Sequence, residues 1–275
     1  MPSILKLTLQ LEKTASKGNH LAASTNAAIL TLLSGKNPEL ANELHDAPVK
    51  PYSLALEPDA GFGGIQGRYL EVRLNVLHDA LEPILTAALE LGRFFGTTDD
   101  PLRGRLLNLE TETESYPDFV TRALSTPVQR LTQLEFLSNT CLSGNGNNWA
   151  LPIPAFVMNG LRIRFEKFSG FKLEGNLNTY TSRNLECKHY KVKSFFETIS
   201  SKETQDGFIG KATFLSKGSD DSARAIALLL RFAEWSGVGV NTAFGCGQVR
   251  VKLEMARVRD EGGEILRVVR SKDAG

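Results

Sequence analysis

The sequence lacks the features by which disulfide-rich, zinc-binding and membrane-spanning proteins are identified. Its 275 residues include only three cysteines, Cys141, Cys187 and Cys246, an odd number without the CxxC spacing of a zinc site. No apolar run approaches the ~20 residues of a membrane-spanning helix, and Met1-Pro2-Ser3 does not begin a signal peptide. We therefore expect a soluble, cytoplasmic protein with no membrane partner.

An excess of charge is also lacking, because 32 lysines and arginines nearly balance 31 aspartates and glutamates for a formal net charge of +1. On its own this balance argues against a nucleic-acid partner, since phosphates favour strongly basic domains. The average hides a local excess, however: residues 160–193 contain eight basic and three acidic residues, a local charge of +5. Tyr180 and Tyr190 lie among these cations, which suits stacking on RNA bases. The alternative is an ordinary solvated basic strand.

Six cationic residues of the second half are candidate RNA contacts. They are Lys188, His189, Lys191, Lys193, Lys211 and Arg250. Because side chains alternate along a strand, Lys191 and Lys193 lie on the opposite face from Lys188.

The length exceeds what one typical domain needs, and the hydrophobic pattern contains the same order of elements twice. The first half predicts strands at 4–11, 52–56, 69–77 and 106–113 and helices at 21–33, 38–45 and 80–95. The second half predicts strands at 133–137, 171–177, 186–193, 208–215 and 248–254 and helices at 154–168 and 220–236. We predict an α+β protein of two tandem ferredoxin-like (βαββαβ, RRM-like) modules, at 1–125 and 126–256, followed by a charged tail at 257–275.

The most distinctive motif is a glycine-rich loop at residues 237–248, between the last predicted helix and the last strand. It is neither a Walker A loop, which ends in Gly-Lys-Ser/Thr before a helix, nor a Rossmann fingerprint, which leads from a strand into a helix. Closely spaced glycines let backbone N–H groups approach a phosphate without obstruction by Cβ atoms. The candidate RNA-binding residues are Gly237, Gly239, Asn241, Thr242, Gly245 and Gly247. The alternative is a turn whose glycines serve only geometry.

The residues around this loop resemble a known family. A helix ending in Phe-Ala-Glu-Trp-Ser, followed by Gly-Val-Gly, a threonine and Gly-Cys-Gly-Gln-Val, is similar to the signature of CRISPR repeat-processing endoribonucleases of the RAMP superfamily. Weaker matches follow the family's order along the chain. They are Leu44-His45-Asp46 with Pro51-Tyr52-Ser53, Phe136 to Thr140 with Leu151 to Pro154, and Gly207 to Lys211. Asn241 departs from the pattern, because a Lys or Arg is common there.

The resemblance implies an endoribonuclease that needs neither metal nor cofactor and cleaves CRISPR repeat RNA in the precursor transcript to release guide RNAs. The ribose 2′-hydroxyl attacks the adjacent phosphate, which leaves a 2′,3′-cyclic phosphate and a 5′-hydroxyl. A histidine suits the proton transfers, and His45 matches the family's catalytic histidine. Lys50 is a candidate for stabilising phosphate charge, against the alternative of a solvated loop lysine. His20, just before the first helix, is a further catalytic candidate.

Two other functions remain open at this stage. The same superfamily includes non-catalytic subunits that bind guide RNA within CRISPR interference complexes. An unrelated ferredoxin-like metabolic enzyme or small-molecule regulator is the third reading. The resemblance predicts CRISPR repeat RNA as the partner, and leaves open whether interference-complex subunits or a second copy of the chain also bind.

Overall fold

The computed structural model describes residues 2–13, 21–56, 65–66, 68–90, 92, 94–95, 103–200, 203–256 and 265–271. The chain forms two compact units. The first contains Met1–Thr113 with Thr198–Thr204 and Asn241–Gly245, and the second contains Glu114–Glu197, Gln205–Val240 and Cys246–Gly275. Within the described parts, no helix is both long and apolar enough to span a membrane.

The first unit has the ferredoxin-like order of elements. These are β1 (Ser3–Leu11), α1 (Leu21–Ser34), α2 (Pro38–Asp46), β2 (Tyr52–Leu56), β3 (Ile65–Gln66), β4 (Tyr69–Val76), α3 (Leu81–Ala88), β5 (Phe94–Phe95) and β6 (Gly104–Thr113). The sheet order is β2-β4-β1-β6-β5, and β3 pairs with β4. Alternation along β1 buries Leu5, Leu7 and Leu9 in the core, as the period of two predicts.

The second unit repeats this order and adds short elements. It contains α4 (Tyr116–Ser125), β7 (Leu131–Thr140), β8 (Leu142–Gly144), β9 (Asn147–Trp149), α5 (Pro154–Phe168), β10 (Phe171–Glu174), α6 (Leu177–Asn184), β11 (Leu185–Ser200), β12 (Glu203–Ser216), α7 (Asp220–Ser236), β13 (Val249–Glu254) and β14 (Arg267–Arg270). Its main sheet has the order β11-β12-β7-β13. The predicted pair of ferredoxin-like modules is therefore confirmed.

The boundary between the units differs from the predicted position at residue 125. Helix α4 belongs to the second unit, where the ring of Tyr116 lies 6.4 Å from the rings of both Phe165 and Phe232. The Phe119 ring also lies 6.5 Å from that of Phe232. This aromatic cluster is formed by side chains far apart in the sequence, so local periodicity does not reveal it.

Three predicted elements also differ from the structure. Helix α3 ends at Ala88 instead of residue 95, and Gly92 has a φ of +77°, which does not continue a right-handed helix. The stretch after β10 forms α6, whose N-cap Asn176 accepts a hydrogen bond from the Thr179 N–H at 3.0 Å. The segment predicted as a charged tail contains β14, which pairs antiparallel with β10, and Leu266, just before β14, is fully buried.

Candidate functional site

His45 lies in the last turn of α2, where it is exposed to solvent. The helix begins at Asn37, whose side chain accepts a hydrogen bond from the Leu40 N–H at 3.1 Å, and Pro38 occupies the first turn. Ala41 and Leu44 bury the inner face of this helix, whereas the next residue, His45, is exposed. An imidazole is thus held on a short, anchored helix with access to a substrate from solvent.

Lys50 closes the end of the same helix. Its ammonium donates one hydrogen bond to the Leu44 carbonyl at 2.9 Å and another to the His45 carbonyl. A cation is favourable there because the carbonyl end of a helix carries partial negative charge. The pKa of Lys50 lies below its ordinary value, because partial burial disfavours the ammonium more than the carboxylate of Asp46 favours it. The structure therefore brings these two predicted catalytic candidates together.

The neighbouring tyrosine has a structural position. Tyr52 is buried, and its hydroxyl donates to the Asn26 side-chain oxygen at 2.7 Å. Burial raises the pKa of this phenol. Tyr52 therefore secures the start of β2 and is not exposed to a substrate. His20, the other catalytic candidate, lies outside the described residues.

The glycines of the glycine-rich loop are required by its backbone. Gly237, Gly239, Gly245 and Gly247 have φ values of +67°, +85°, +81° and +68°. A Cβ at Gly239 would lie 2.2 Å from the Cys141 carbonyl oxygen, and one at Gly247 would lie 1.9 Å from that of Val238. Asn241 adopts the left-handed conformation with a φ of +59°.

Most of the loop's described N–H groups are engaged within the protein, so few of them are open to a phosphate. The N–H groups of residues 237, 238, 240, 244, 245 and 247 donate to backbone carbonyls. Gly237, Thr242 and Gly247 are buried, so they shape the loop and do not present a surface to RNA. Gly239, Asn241 and Gly245 are partly exposed and remain candidates for contact.

Arg164 contacts this loop, a role that the sequence analysis missed. From α5 its guanidinium donates to the Gly237 carbonyl at 3.3 Å and to the Gly239 carbonyl. Burial lowers the pKa of Arg164 to about 10, so the guanidinium remains charged at neutral pH. Helical spacing could have predicted this position, because Arg164 lies three residues after the buried Leu161 and so on the inner side of α5. In the sequence, Arg164 is one of the eight basic residues of 160–193.

The basic strand carries the predicted cations, but they differ in their surroundings. Lys188, His189, Lys191 and Lys193 are all exposed on β11. Lys188 forms an ion pair with Glu186 at 3.2 Å. Lys211 of β12 and Arg250 of β13 lie on either side of Glu135 of β7, at 3.1 Å and 3.7 Å, so one carboxylate offsets part of their charge.

Among the residues that the structure describes, no group of three or more His, Cys, Asp or Glu side chains could hold a metal ion. The candidate functional groups of the described residues are therefore His45 and Lys50 in the first unit, together with the glycine-rich loop and the basic strand β11.

Comparison with known proteins now adds to this geometry. Residues 134–249 match the family model described as CRISPR-associated endoribonuclease Cas6. A curated relative with that name in Mycobacterium tuberculosis is 24% identical over 254 residues, which cover 90% of this chain and 78% of the relative. The chain is similar to Cas6 endoribonucleases. The resemblance first noted around the glycine-rich loop is therefore confirmed.

Solved Cas6 structures share the fold over nearly the whole chain. A Cas6 product complex has a TM-score of 0.74 at 24% identity, covering 92% of this chain and 100% of the other. Thermus thermophilus Cas6 has a TM-score of 0.67 at 25% identity, with 92% and 98% covered. Because the agreement extends beyond residues 134–249, it includes the fold of the first unit as well.

Proposed function

We propose that this chain is a metal-independent endoribonuclease that binds CRISPR repeat RNA in the precursor transcript and cleaves it to generate guide RNAs. The observation that carries the proposal is the exposed His45, held at the end of α2 beside Lys50, in a chain whose residues 134–249 match the Cas6 family model. The curated relative is named an endoribonuclease, and solved relatives include a product complex and a substrate mimic complex. The cytoplasm is the expected location.

The proposed reaction uses the RNA's own nucleophile. The ribose 2′-oxygen forms a bond to phosphorus while the bond from phosphorus to the 5′-oxygen breaks, which leaves a 2′,3′-cyclic phosphate and a 5′-hydroxyl. One proton leaves the 2′-hydroxyl, and one reaches the departing 5′-oxygen. An imidazole is suited to either transfer near neutral pH, and this is the role we assign to His45. Because the nucleophile belongs to the substrate, no metal-bound hydroxide is required.

Lys50 has a double role in this proposal. Two of its three ammonium N–H groups hold the end of α2, and the third has no acceptor among the residues that the structure describes, so it can donate to a phosphate oxygen. Its positive charge beside His45 stabilises the negative charge that develops on the phosphate in the transition state. His20 remains a further candidate.

RNA binding is assigned to the exposed parts of the second unit's basic strand and of the loop. Lys188, His189, Lys191 and Lys193 supply cations, and Lys211 and Arg250 add to them across the sheet. In the loop, Gly239, Asn241 and Gly245 are the residues accessible to RNA.

The test is cleavage of the host's own CRISPR repeat RNA by the purified chain in EDTA. We expect a 5′-hydroxyl product and a cyclic phosphate, and we expect His45→Ala to lower the rate by about 10²- to 10⁴-fold. His78→Ala is the matched control, because His78 is also exposed and lies in the first unit. Unchanged cleavage by His45→Ala would contradict the assignment.

A non-catalytic role is the other outcome of this experiment. One solved neighbour is described as a RAMP protein binding different RNA substrates, with a TM-score of 0.56 at 14% identity. Tight binding of repeat RNA without cleavage, together with stable association with other subunits of a CRISPR complex, would assign the chain to that class. Sedimentation of the purified chain would show whether it forms a homodimer.

A further inference from the structure

The outer edge of β6 is open to solvent over most of its length, and we name residues 108–113 the open edge. On one side, β1 pairs with β6 along the whole strand. On the other side, β5 pairs only with Gly104 and Arg105, and no other strand in the described parts of the chain pairs there. Asn108 and every residue from 110 to 113 are exposed, so the open edge is accessible to another molecule.

The backbone of the open edge can accept one more strand. Every second residue of an edge strand points its N–H and C=O away from the strand beside it, so these residues offer about three donors and three acceptors. Proteins commonly block such edges with proline, lysine or a bulge. The open edge contains neither proline nor lysine, and the bulge that the register shift places at Leu107 lies before it.

The open edge carries negative charge on one face. Glu110 lies across from Lys6 and Glu112 across from Ile4, so both carboxylates lie on the face of the sheet opposite to the buried leucines of β1. The Lys6 ammonium forms its ion pair with Glu112, at 2.6 Å. Glu110 accepts a hydrogen bond from the Asn108 side chain at 3.0 Å and forms no ion pair with a described residue. Residues 106–113 contain no lysine or arginine.

This charge decides which molecules suit the edge. RNA is disfavoured there, because its phosphates are repelled by carboxylates. A second copy of β6 is disfavoured too: antiparallel pairing centred on Thr111 places Glu110 of one copy across from Glu112 of the other, and like charges in that position are destabilising. A strand that carries lysine or arginine meets neither penalty. Leu107, which is 46% exposed beside the open edge, offers such a strand an apolar contact.

We propose that the open edge binds an extended, basic segment of a partner protein, which adds to the sheet of the first unit as a further strand beside β6. Lysine or arginine at alternate positions of that segment would lie across from Glu110 and Glu112, and β-branched residues between them would lie beside Thr111 and Thr113. Main-chain hydrogen bonds supply the affinity of such a complex, and the carboxylates select the partner. This inference goes beyond the proposed cleavage of RNA and does not depend on it.

Amide hydrogen exchange of the full chain, followed by NMR, tests strand addition directly. The probe is the capped peptide Thr-Lys-Val-Lys-Val-Lys-Thr. In the free chain, the outward N–H groups of the open edge should exchange rapidly because they have no partner strand. With about nine-tenths of the chain bound to the probe, we expect exchange to slow by about 10-fold at alternate residues of 108–113. The alternation distinguishes a paired strand from a diffuse electrostatic contact.

Matched controls separate backbone pairing from charge. The same peptide with proline in place of each valine keeps its charge but cannot pair as a strand, so it should give no protection. Glu110→Gln should weaken binding of the valine peptide by about 1.5- to 5-fold, and Glu110→Lys should weaken it further. Glu71→Gln should leave it unchanged, because Glu71 is exposed on the same face but lies on β4, with β1 between it and β6. Thermal unfolding of each variant shows that the fold is retained.

Three results would overturn the proposal. The first is an unchanged exchange rate over residues 108–113 at millimolar valine peptide, and the second is equal protection by the proline peptide. The third is protection in the chain alone that disappears on dilution, which would assign the edge to a second copy. Cleavage is scored separately: Glu110→Lys should cut repeat RNA at the wild-type rate. A chain that binds the probe as expected but does not cut repeat RNA in EDTA would refute the proposed activity and retain the docking edge.

Discussion

At the scale of single residues, the candidate catalytic pair depends on one local interaction. Lys50 reaches back from the loop after α2 and donates to the carbonyls of Leu44 and His45. The backbone of His45 is therefore held by the burial of the preceding Leu44 and by the hydrogen bond that the Lys50 ammonium donates to the His45 carbonyl. The exposed imidazole therefore extends from a fixed backbone position and remains accessible to substrate.

The charge of Lys50 should determine the pH at which the cleavage rate falls in alkaline solution. Its pKa lies below the ordinary value, so this ammonium loses its proton at a lower pH than an exposed lysine does. Cleavage that depends on the charge should fall as pH rises through that pKa, and Lys50→Arg should move the fall to higher pH because arginine stays protonated. Rates measured in single turnover between pH 7 and 11, with buffers matched in ionic strength, test this.

Two controls accompany that measurement. Lys50→Met should cleave more slowly at every pH, because it lacks the charge throughout. Identical alkaline limbs for the wild type and Lys50→Arg would show that another group sets the limb.

At the scale of elements, the glycine-rich loop shows how backbone geometry limits which residues can face RNA. Its glycines are needed for positive φ and for close backbone contacts, and Arg164 binds two of its carbonyls. The loop is therefore a rigid link between α7 and β13, and only its partly exposed residues are available to a ligand.

Two glycine substitutions should have opposite effects on stability. In Gly247→Ala the new methyl would meet the Val238 carbonyl oxygen at 1.9 Å with a φ of +68°, so we expect a loss of more than about 2 kcal/mol. Gly160→Ala, inside α5 with no atom within 4 Å of the new Cβ, should stabilise by about 0.5–1 kcal/mol. Urea unfolding of both variants beside the wild type gives the two free energies. Equal stability of Gly247→Ala and wild type would contradict the geometric account.

Some elements of the fold can be predicted from sequence patterns alone. Strand β1 and helix α7 follow from strict periodicity, and Ser219 and Gly237 mark the ends of α7. The position of His45 at the end of α2 also follows from Pro38 and the buried Ala41 and Leu44. The inward direction of Arg164 and the exposure of Phe196 do not, because both depend on which strands and loops pack beside them.

At the scale of the whole molecule, near-neutral net charge coexists with a basic strand because carboxylates are placed unevenly. Glu186 and Glu135 offset Lys188, Lys211 and Arg250, whereas Lys191 and Lys193 of β11 form no ion pair with any residue that the structure describes. The unpaired cations of β11 therefore provide a local attraction for a polyanion, which favours recognition by local contacts over bulk charge.

The last strand should contribute to global stability, although its composition suggests a tail. Ending the chain at residue 256 removes β14, the partner of β10, and takes the fully buried Leu266 from the second unit. We expect a loss of about 2–4 kcal/mol, since burial of one leucine alone contributes about 1.5–3 kcal/mol. Ending the chain after Ser271 is the control and should unfold like the full chain in urea. Equal unfolding of both truncated chains would show that β14 is dispensable.

The short segment Asn241–Gly245 has a consequence for synthesis of the chain. Ala243 is part of the core of the first unit, among residues such as Leu54 and Ile29 that are translated far earlier. Translation runs from the amino terminus, so the ribosome must release nearly the whole chain before this core can close. The first unit therefore cannot finish folding as a nascent domain. A fragment ending at Thr113 would lack part of its own interior.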